Sequence, residues 1–179
     1  MDLFIVIVLA LLAVMGIVVG VSNDAVNFLN SAFGSKAANK YVILAIASIG
    51  VMIGVMTSSG MMDVARSGVF YPSMFSYQEI MILFLGMMLS NIILLDIYNS
   101  LGLPTSTTVS LVFGLLGSAL ALALYNIWSG DALMTDLGKY INSGNALAIV
   151  SGILLSVVVA FIVGGIYMYL SRALFSFRY

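Results

Sequence analysis

Two short stretches of this 179-residue chain hold most of the side chains that could do polar chemistry. The first is Ser22-Asn23-Asp24-Ala25-Val26-Asn27-Phe28-Leu29-Asn30-Ser31, in which three asparagines and one aspartate alternate with apolar residues. Asn23, Asn27 and Asn30 lie at spacings of four and three, so a helix here would gather them on one face. The second is Gly102-Leu103-Pro104-Thr105-Ser106-Thr107-Thr108, four consecutive hydroxyls behind a proline. Asparagine amides and serine or threonine hydroxyls can donate hydrogen bonds to an oxyanion without carrying charge. A plainer reading stands beside this one. Asparagine and aspartate are common helix caps, and Leu-Pro followed by hydroxyl residues is an ordinary helix start.

Much other chemistry is excluded. With no histidine and no cysteine, the chain cannot build a Cys/His zinc site, a thiol nucleophile, a Ser-His-Asp triad, a haem thiolate, a disulfide or an imidazole relay. Asp24 and Asp96 both fall in or beside apolar runs, but neither stands in the Gly-x-Gly-Asp setting of an intramembrane aspartyl protease. No enzymatic activity is expected. A net charge of −1 gives no electrostatic footprint for nucleic acid.

The elements that must position these residues are membrane helices. Hydrophobic residues make up 63% of the chain and charged residues 7%, and the mean hydropathy is +1.20. Soluble domains carry roughly 25% charge, so most of this exterior must face lipid. The pattern predicts an all-α polytopic bundle of five spans within a single domain, residues 1–179: Leu3–Val21, Tyr41–Met62, Ile80–Tyr98, a shorter Val109–Tyr125, and Ala146–Leu170. The acidic start and the lack of a small-x-small cleavage site make the first run a span rather than a signal peptide. In the second span, small residues such as Gly50 and Gly54 suit close helix packing. Tyr125, Trp128 and Tyr140 fit an interfacial belt. Lys36, Lys40, Arg172 and Arg178 fall on one side and Arg66 and Lys139 on the other, which predicts the N-terminus outside and the C-terminus in the cytoplasm.

Both polar stretches interrupt this apolar pattern. Gly16, Gly20 and Gly34 flank the first and permit unwinding, so a broken first-helix region is expected. The short span after the second suggests a re-entrant or broken helix beginning inside the membrane. Irregular backbone at that depth is tolerated only where it is buried in protein or lines a cavity. Helix N-termini that meet near the midplane present free N–H groups and a positive dipole end, the usual substrate site of secondary transporters.

The residues also carry a family resemblance over nearly the whole chain. Asn23-Asp24-x-x-Asn27 followed by Gly34-Ser35 resembles the first signature of the inorganic phosphate transporter (PiT) family. Leu103-Pro104-Thr105-Ser106-Thr107-Thr108 resembles that family's Leu-Pro-x-Ser-Thr/Gly-Thr signature. Ser59-Gly60-Met61-Met62-Asp63-Val64-Ala65-Arg66 and Ile93-Leu94-Leu95-Asp96 are similar to its Bacteroidetes-type branch. The resemblance implies a cation-coupled importer (Na+ or H+) of inorganic phosphate, built from two inverted repeats and sited in a bacterial inner membrane. It implies Asn23, Asp24, Asn27, Ser106, Thr107 and Thr108 as this repeat's share of the substrate and cation site. One copy of each signature is present, so a truncated or half transporter is expected, working with a missing second repeat or a second chain, a homodimer being the symmetric solution.

On this reading Asp24 is the coupling carboxylate, holding Na+ or a proton, while the amides and hydroxyls orient the anion. Asp96 is a weaker candidate cation ligand, since an ionisable residue inside a span is a functional candidate by default. Asn91 suits a bond between helices, Asp63 and Arg66 a pair at a helix end, and Glu79 a first-turn acid. Two alternatives to a phosphate importer are a transporter of another oxyanion such as sulfate and a non-transporting membrane scaffold subunit.

Overall fold

The computed structural model describes residues 2–130 and 136–175; within these, the side chains of Asp2, Val26, Met61, Met62, Ala65 and Arg66 are left undescribed. The Asp63–Arg66 pair and the charge of Arg178 therefore lie outside the described residues. The chain divides into two units, Met1–Ser143 and Gly144–Tyr179. The first contains α1 (Asp2–Gly34), α2 (Lys40–Thr57), α3 (Ser59–Asp63), α4 (Tyr77–Leu101), α5 (Thr107–Ser129) and α6 (Leu137–Tyr140). The second is occupied by α7 (Ser143–Phe175), a 33-residue apolar helix with Arg172 in its last turn.

Five helices among the described residues are long and apolar enough to cross a bilayer: Leu3–Ala25 within α1, then α2, α4, α5 and α7. They coincide with the five expected spans, and the chain is an all-α membrane protein. The described residues hold no strand; a single antiparallel bridge between Phe70 and Ile141 pins the segment before α4 to the one after α6. Tyr71 N–H donates to Tyr140 C=O at 2.9 Å and Asn142 N–H to Val69 C=O at 3.0 Å.

α1 is where the sequence expectation fails. It runs unbroken for 33 residues, straight through Ser22–Ser31. Asn23, Asp24 and Asn27 find partners on other elements and Ser22 on its own helix, so no backbone group has to be released to satisfy them. The expectation of close packing by α2 also fails, because a Cβ at Gly50 or Gly54 would meet nothing within 4 Å.

α4 begins with a capping box. The Ser76 hydroxyl accepts from Glu79 N–H at 3.3 Å, and the Glu79 carboxylate accepts from Ser76 N–H at 2.6 Å. Glu79 also accepts from the Asn126 amide, which ties the start of α4 to the end of α5. The helix stops at Gly102, whose φ of 67° is a left-handed conformation that glycine adopts at little cost. Gly102 N–H donates to Asn99 C=O at 3.1 Å and Leu103 N–H to Tyr98 C=O at 2.9 Å, the paired closure of a Schellman end. Residues Gly102 to Ser106 separate the two helices, and α5 starts at Thr107 with Ser106 as its N-cap. α5 spans 23 residues, longer than the expected Val109–Tyr125, and is long enough for a full crossing.

α4 and α5 pack antiparallel. Leu115, Ala119 and Ala123, one helical turn apart on α5, are fully buried with Leu83, Met87, Phe70 and Phe75. α1 runs parallel to α4, because Gly16 lies opposite Ile92 and Asn23 opposite Asn99, the same offset a full two turns apart. The C-terminal parts of α1 and α4 thus reach the same end of the bundle as the first turn of α5. Trp128 and Tyr125 are exposed near the far end of α5, as an interfacial belt requires, whereas Tyr140 packs on Phe75 at a ring distance of 5.4 Å.

Candidate functional site

The two polar stretches meet. Thr107, the first residue of α5, points its hydroxyl at the Asp24 carboxylate of α1, 3.3 and 3.4 Å from its two oxygens. Three residues further along α1, the Asn27 amide donates to the Thr105 carbonyl at 3.0 Å and to the Asn23 side-chain oxygen at 3.4 Å. An open cleft of about 470 Å³ is lined by Asp24, Asn27 and Phe28 from α1 and by Pro104, Thr105, Ser106, Thr107 and Thr108. No lysine or arginine is among its lining residues.

The start of α5 is arranged to leave donors free. The Ser106 hydroxyl accepts from Val109 N–H at 3.3 Å, and the Ser106 carbonyl accepts from Ser110 N–H at 3.0 Å. The Thr107 and Thr108 N–H groups precede the first intrahelical bond, at the positive pole of a 23-residue helix. With the Ser106 and Thr108 hydroxyls beside them they form a neutral set of donors next to one carboxylate, while the Asn27 amide and the Thr107 hydroxyl already donate within the protein and would have to exchange those partners to reach a ligand. That set can bind an oxyanion through hydrogen bonds, and the carboxylate can accept a cation or a proton.

Five of the six candidates (Asp24, Asn27, Ser106, Thr107 and Thr108) line this cleft. Asn23 sits behind it, only 2% exposed, where its amide donates to Asn99 Oδ1 at 2.9 Å. Asn30, which shares its helix face by spacing, is exposed. Asp96 is exposed on α4 and is not among the residues lining the Asp24 cleft. Asn91 accepts from the Ser110 hydroxyl, a bond between helices as its position suggested.

Sequence reasoning gave Asn99 no such part. Its side chain accepts from Asn23 and donates to the Val19 carbonyl at 3.3 Å, joining α4 to α1 at the level of the site. Spacing alone gave little signal: eight residues turn Asn99 about 80° around α4 from Asn91, so Asn91 meets α5 while Asn99 meets α1.

Two further cavities adjoin the site. One of about 400 Å³ lies between α1, α4 and α5 and is lined mainly by apolar residues such as Leu12, Met87 and Leu111, with Thr107 and Thr108 at its edge. Another of about 620 Å³ follows the α4–α5 seam past Ser90, Asn91, Ser110 and Ser118, and shares Thr105 with the Asp24 cleft.

No curated protein and no solved structure matches this chain. A family model does: that of the phosphate transporter family matches residues 6–178, a stretch that contains both polar segments, the last four spans and all but the first three residues of the first span, and the chain belongs to that family.

Proposed function

We propose that the Asp24–Thr107 cleft binds inorganic phosphate together with a coupling cation, Na+ or H+, and that the chain carries both across the membrane as one repeat of a secondary transporter. The observation that supports this reading is a single carboxylate facing the start of α5 across a cleft whose other polar groups are neutral donors. Phosphate near neutral pH carries one to two negative charges. At ~4 Å and an effective dielectric near 20, each unit charge placed beside an ionised Asp24 costs about 4 kcal/mol. A cation bound at that carboxylate removes most of the repulsion. Anion binding then depends on the cation, and the two move together for electrostatic reasons. Asn27 and the hydroxyls of Ser106, Thr107 and Thr108 orient the anion, and the Thr107 and Thr108 N–H groups add the helix pole. Asn23 serves from behind by holding Asn27. Asp96 stays a separate, lesser candidate cation ligand outside this cleft.

The cleft is open along one side, which suits completion by a second repeat or a second copy of the chain. The N-terminus is outside and the C-terminus cytoplasmic, in a bacterial inner membrane. In that orientation the Asp24 cleft lies toward the cytoplasmic end of α1 and α4.

The test is uptake of radiolabelled phosphate into proteoliposomes under imposed Na+ and proton gradients, with Asp24→Asn as the key variant. Uptake that needs one of the two gradients, and is lost in Asp24→Asn, is expected. Cation dependence surviving in that variant would remove Asp24 from the coupling role. Sulfate in excess is expected not to compete, because it lacks the proton phosphate can donate; full competition would make this a general oxyanion carrier. If no variant of Asn27, Asp24 or Thr107 alters the chain's role, the scaffold reading replaces transport.

A further inference from the structure

We infer that Asn99 is the positioning residue that sets α1 in register with the start of α5, and so fixes where Asp24 and Asn27 project. Where that cleft is the phosphate site, the inference rests on the reading above.

α1 is a long helix with no break that lies along α4 through half-buried small and apolar residues such as Gly16, opposite Ile92, contacts that carry no hydrogen bond. Beside the bonds of Asp24 and Asn27 to α5 and the linker before it, the hydrogen bonds of its polar turn to α4, among the described residues, both go to Asn99. Asn99 Oδ1 accepts from the Asn23 amide at 2.9 Å, and Asn99 Nδ2 donates to the Val19 carbonyl at 3.3 Å. The two grips on α1 are one helical turn apart, so together they constrain both its rotation and its position along the axis. Asn23 is 2% exposed and also accepts from Asn27, which passes the constraint to a residue that lines the cleft.

Asn99 reaches the other wall of the cleft as well. Its backbone carbonyl accepts from Gly102 N–H at 3.1 Å, within the closure that ends α4 and launches the linker. Three residues later Thr105 receives the Asn27 amide, and Thr107 meets Asp24. One residue therefore anchors α1 by its side chain and the linker by its main chain. Asparagine supplies a donor and an acceptor from a single flat amide, which the pair of grips requires and neither leucine nor aspartate provides.

The chain has no cysteine, so a disulfide can report this register without background. The reporter is the pair Asp24→Cys with Thr107→Cys, whose side chains already lie within hydrogen-bond reach. The fold control is Gly86→Cys with Ser118→Cys, since a Cβ built at Gly86 falls 3.5 Å from the Ser118 hydroxyl. Both pairs are oxidised with copper phenanthroline in the full chain, with and without Asn99→Leu. Asn99→Leu is expected to slow the Asp24–Thr107 crosslink at least fivefold while the Gly86–Ser118 crosslink forms as before. An unchanged Asp24–Thr107 rate overturns the inference. Should Asn99→Leu also lose the control crosslink, Asn99→Ser, which is shorter and still polar, is scored in the same way. The phosphate reading is examined separately, by uptake in Asn99→Leu with Asp24 and Thr107 intact, where KM is expected to rise at least tenfold with little change in kcat. A slowed crosslink with an unchanged KM leaves Asn99 as the register device and overturns the phosphate assignment instead.

Discussion

Asp24 and Thr107 are 83 residues apart and come within hydrogen-bond reach through a hydroxyl and a carboxylate. Replacing Thr107 with valine keeps the shape and removes the hydroxyl. A bond to a charged group contributes about 1.5 kcal/mol or more. Thr107→Val should therefore raise the phosphate KM roughly tenfold, measured by initial uptake rates at saturating cation. Asn27→Ala removes one amide from the cleft and one support of the Thr105 carbonyl, and should weaken phosphate binding without changing the cation requirement. Titration of phosphate at several fixed Na+ and proton concentrations checks this. Both outcomes differ from that of Asp24→Asn, in which the cation requirement itself disappears. At this scale residue types and spacing drew attention to two whole stretches, Ser22–Ser31 and Gly102–Thr108, and it was the family resemblance that picked Asn23, Asp24, Asn27 and Ser106–Thr108 out of them. Asn99 stayed hidden because its significance comes from Asn23, a residue 76 positions away.

The helices obey local rules that make their own predictions. Gly102 takes a φ of 67° with open space around it, so Gly102→Ala is strained by conformation rather than by collision. It should cost about 1 kcal/mol and lower the thermal midpoint in detergent by a few degrees. Gly102→Asn should cost less, because asparagine tolerates that region better. Ala119 is fully buried against α4, and Ala119→Leu should destabilise by about 1–3 kcal/mol through overpacking, read in the same melting experiment. The number and places of the five spans were legible because a run of about twenty apolar residues has few other meanings. The continuity of α1 was not. A stretch of asparagines looks like a break as long as their partners are unknown, and here the partners are Asn99 and the Thr105 carbonyl. The start of α5 was misjudged for a related reason. Thr107 and Thr108 look like cap or loop residues, yet Ser106 does the capping and both threonines join the helix.

Across the whole molecule, the parallel course of α1 and α4 follows from the order of the spans. Between them the chain crosses once more as α2, so α1 and α4 traverse in the same direction. The polar turn of α1 and the end of α4 then arrive together, and α5 leaves from that point. The charges are distributed just as unevenly. None of the three lysines, Lys36, Lys40 and Lys139, lines the Asp24 cleft, and Lys139 is paired with Asp136 at 2.8 Å. On the proposed reading the cleft draws anions through fixed peptide dipoles and hydroxyls, with no lysine or arginine among its lining residues to titrate or to lose. Acylating every amine in the reconstituted protein should therefore leave the phosphate KM where it was. On that reading the carrier meets alkaline surroundings with its attraction for the anion intact, because no basic side chain lining the cleft has a proton to give up.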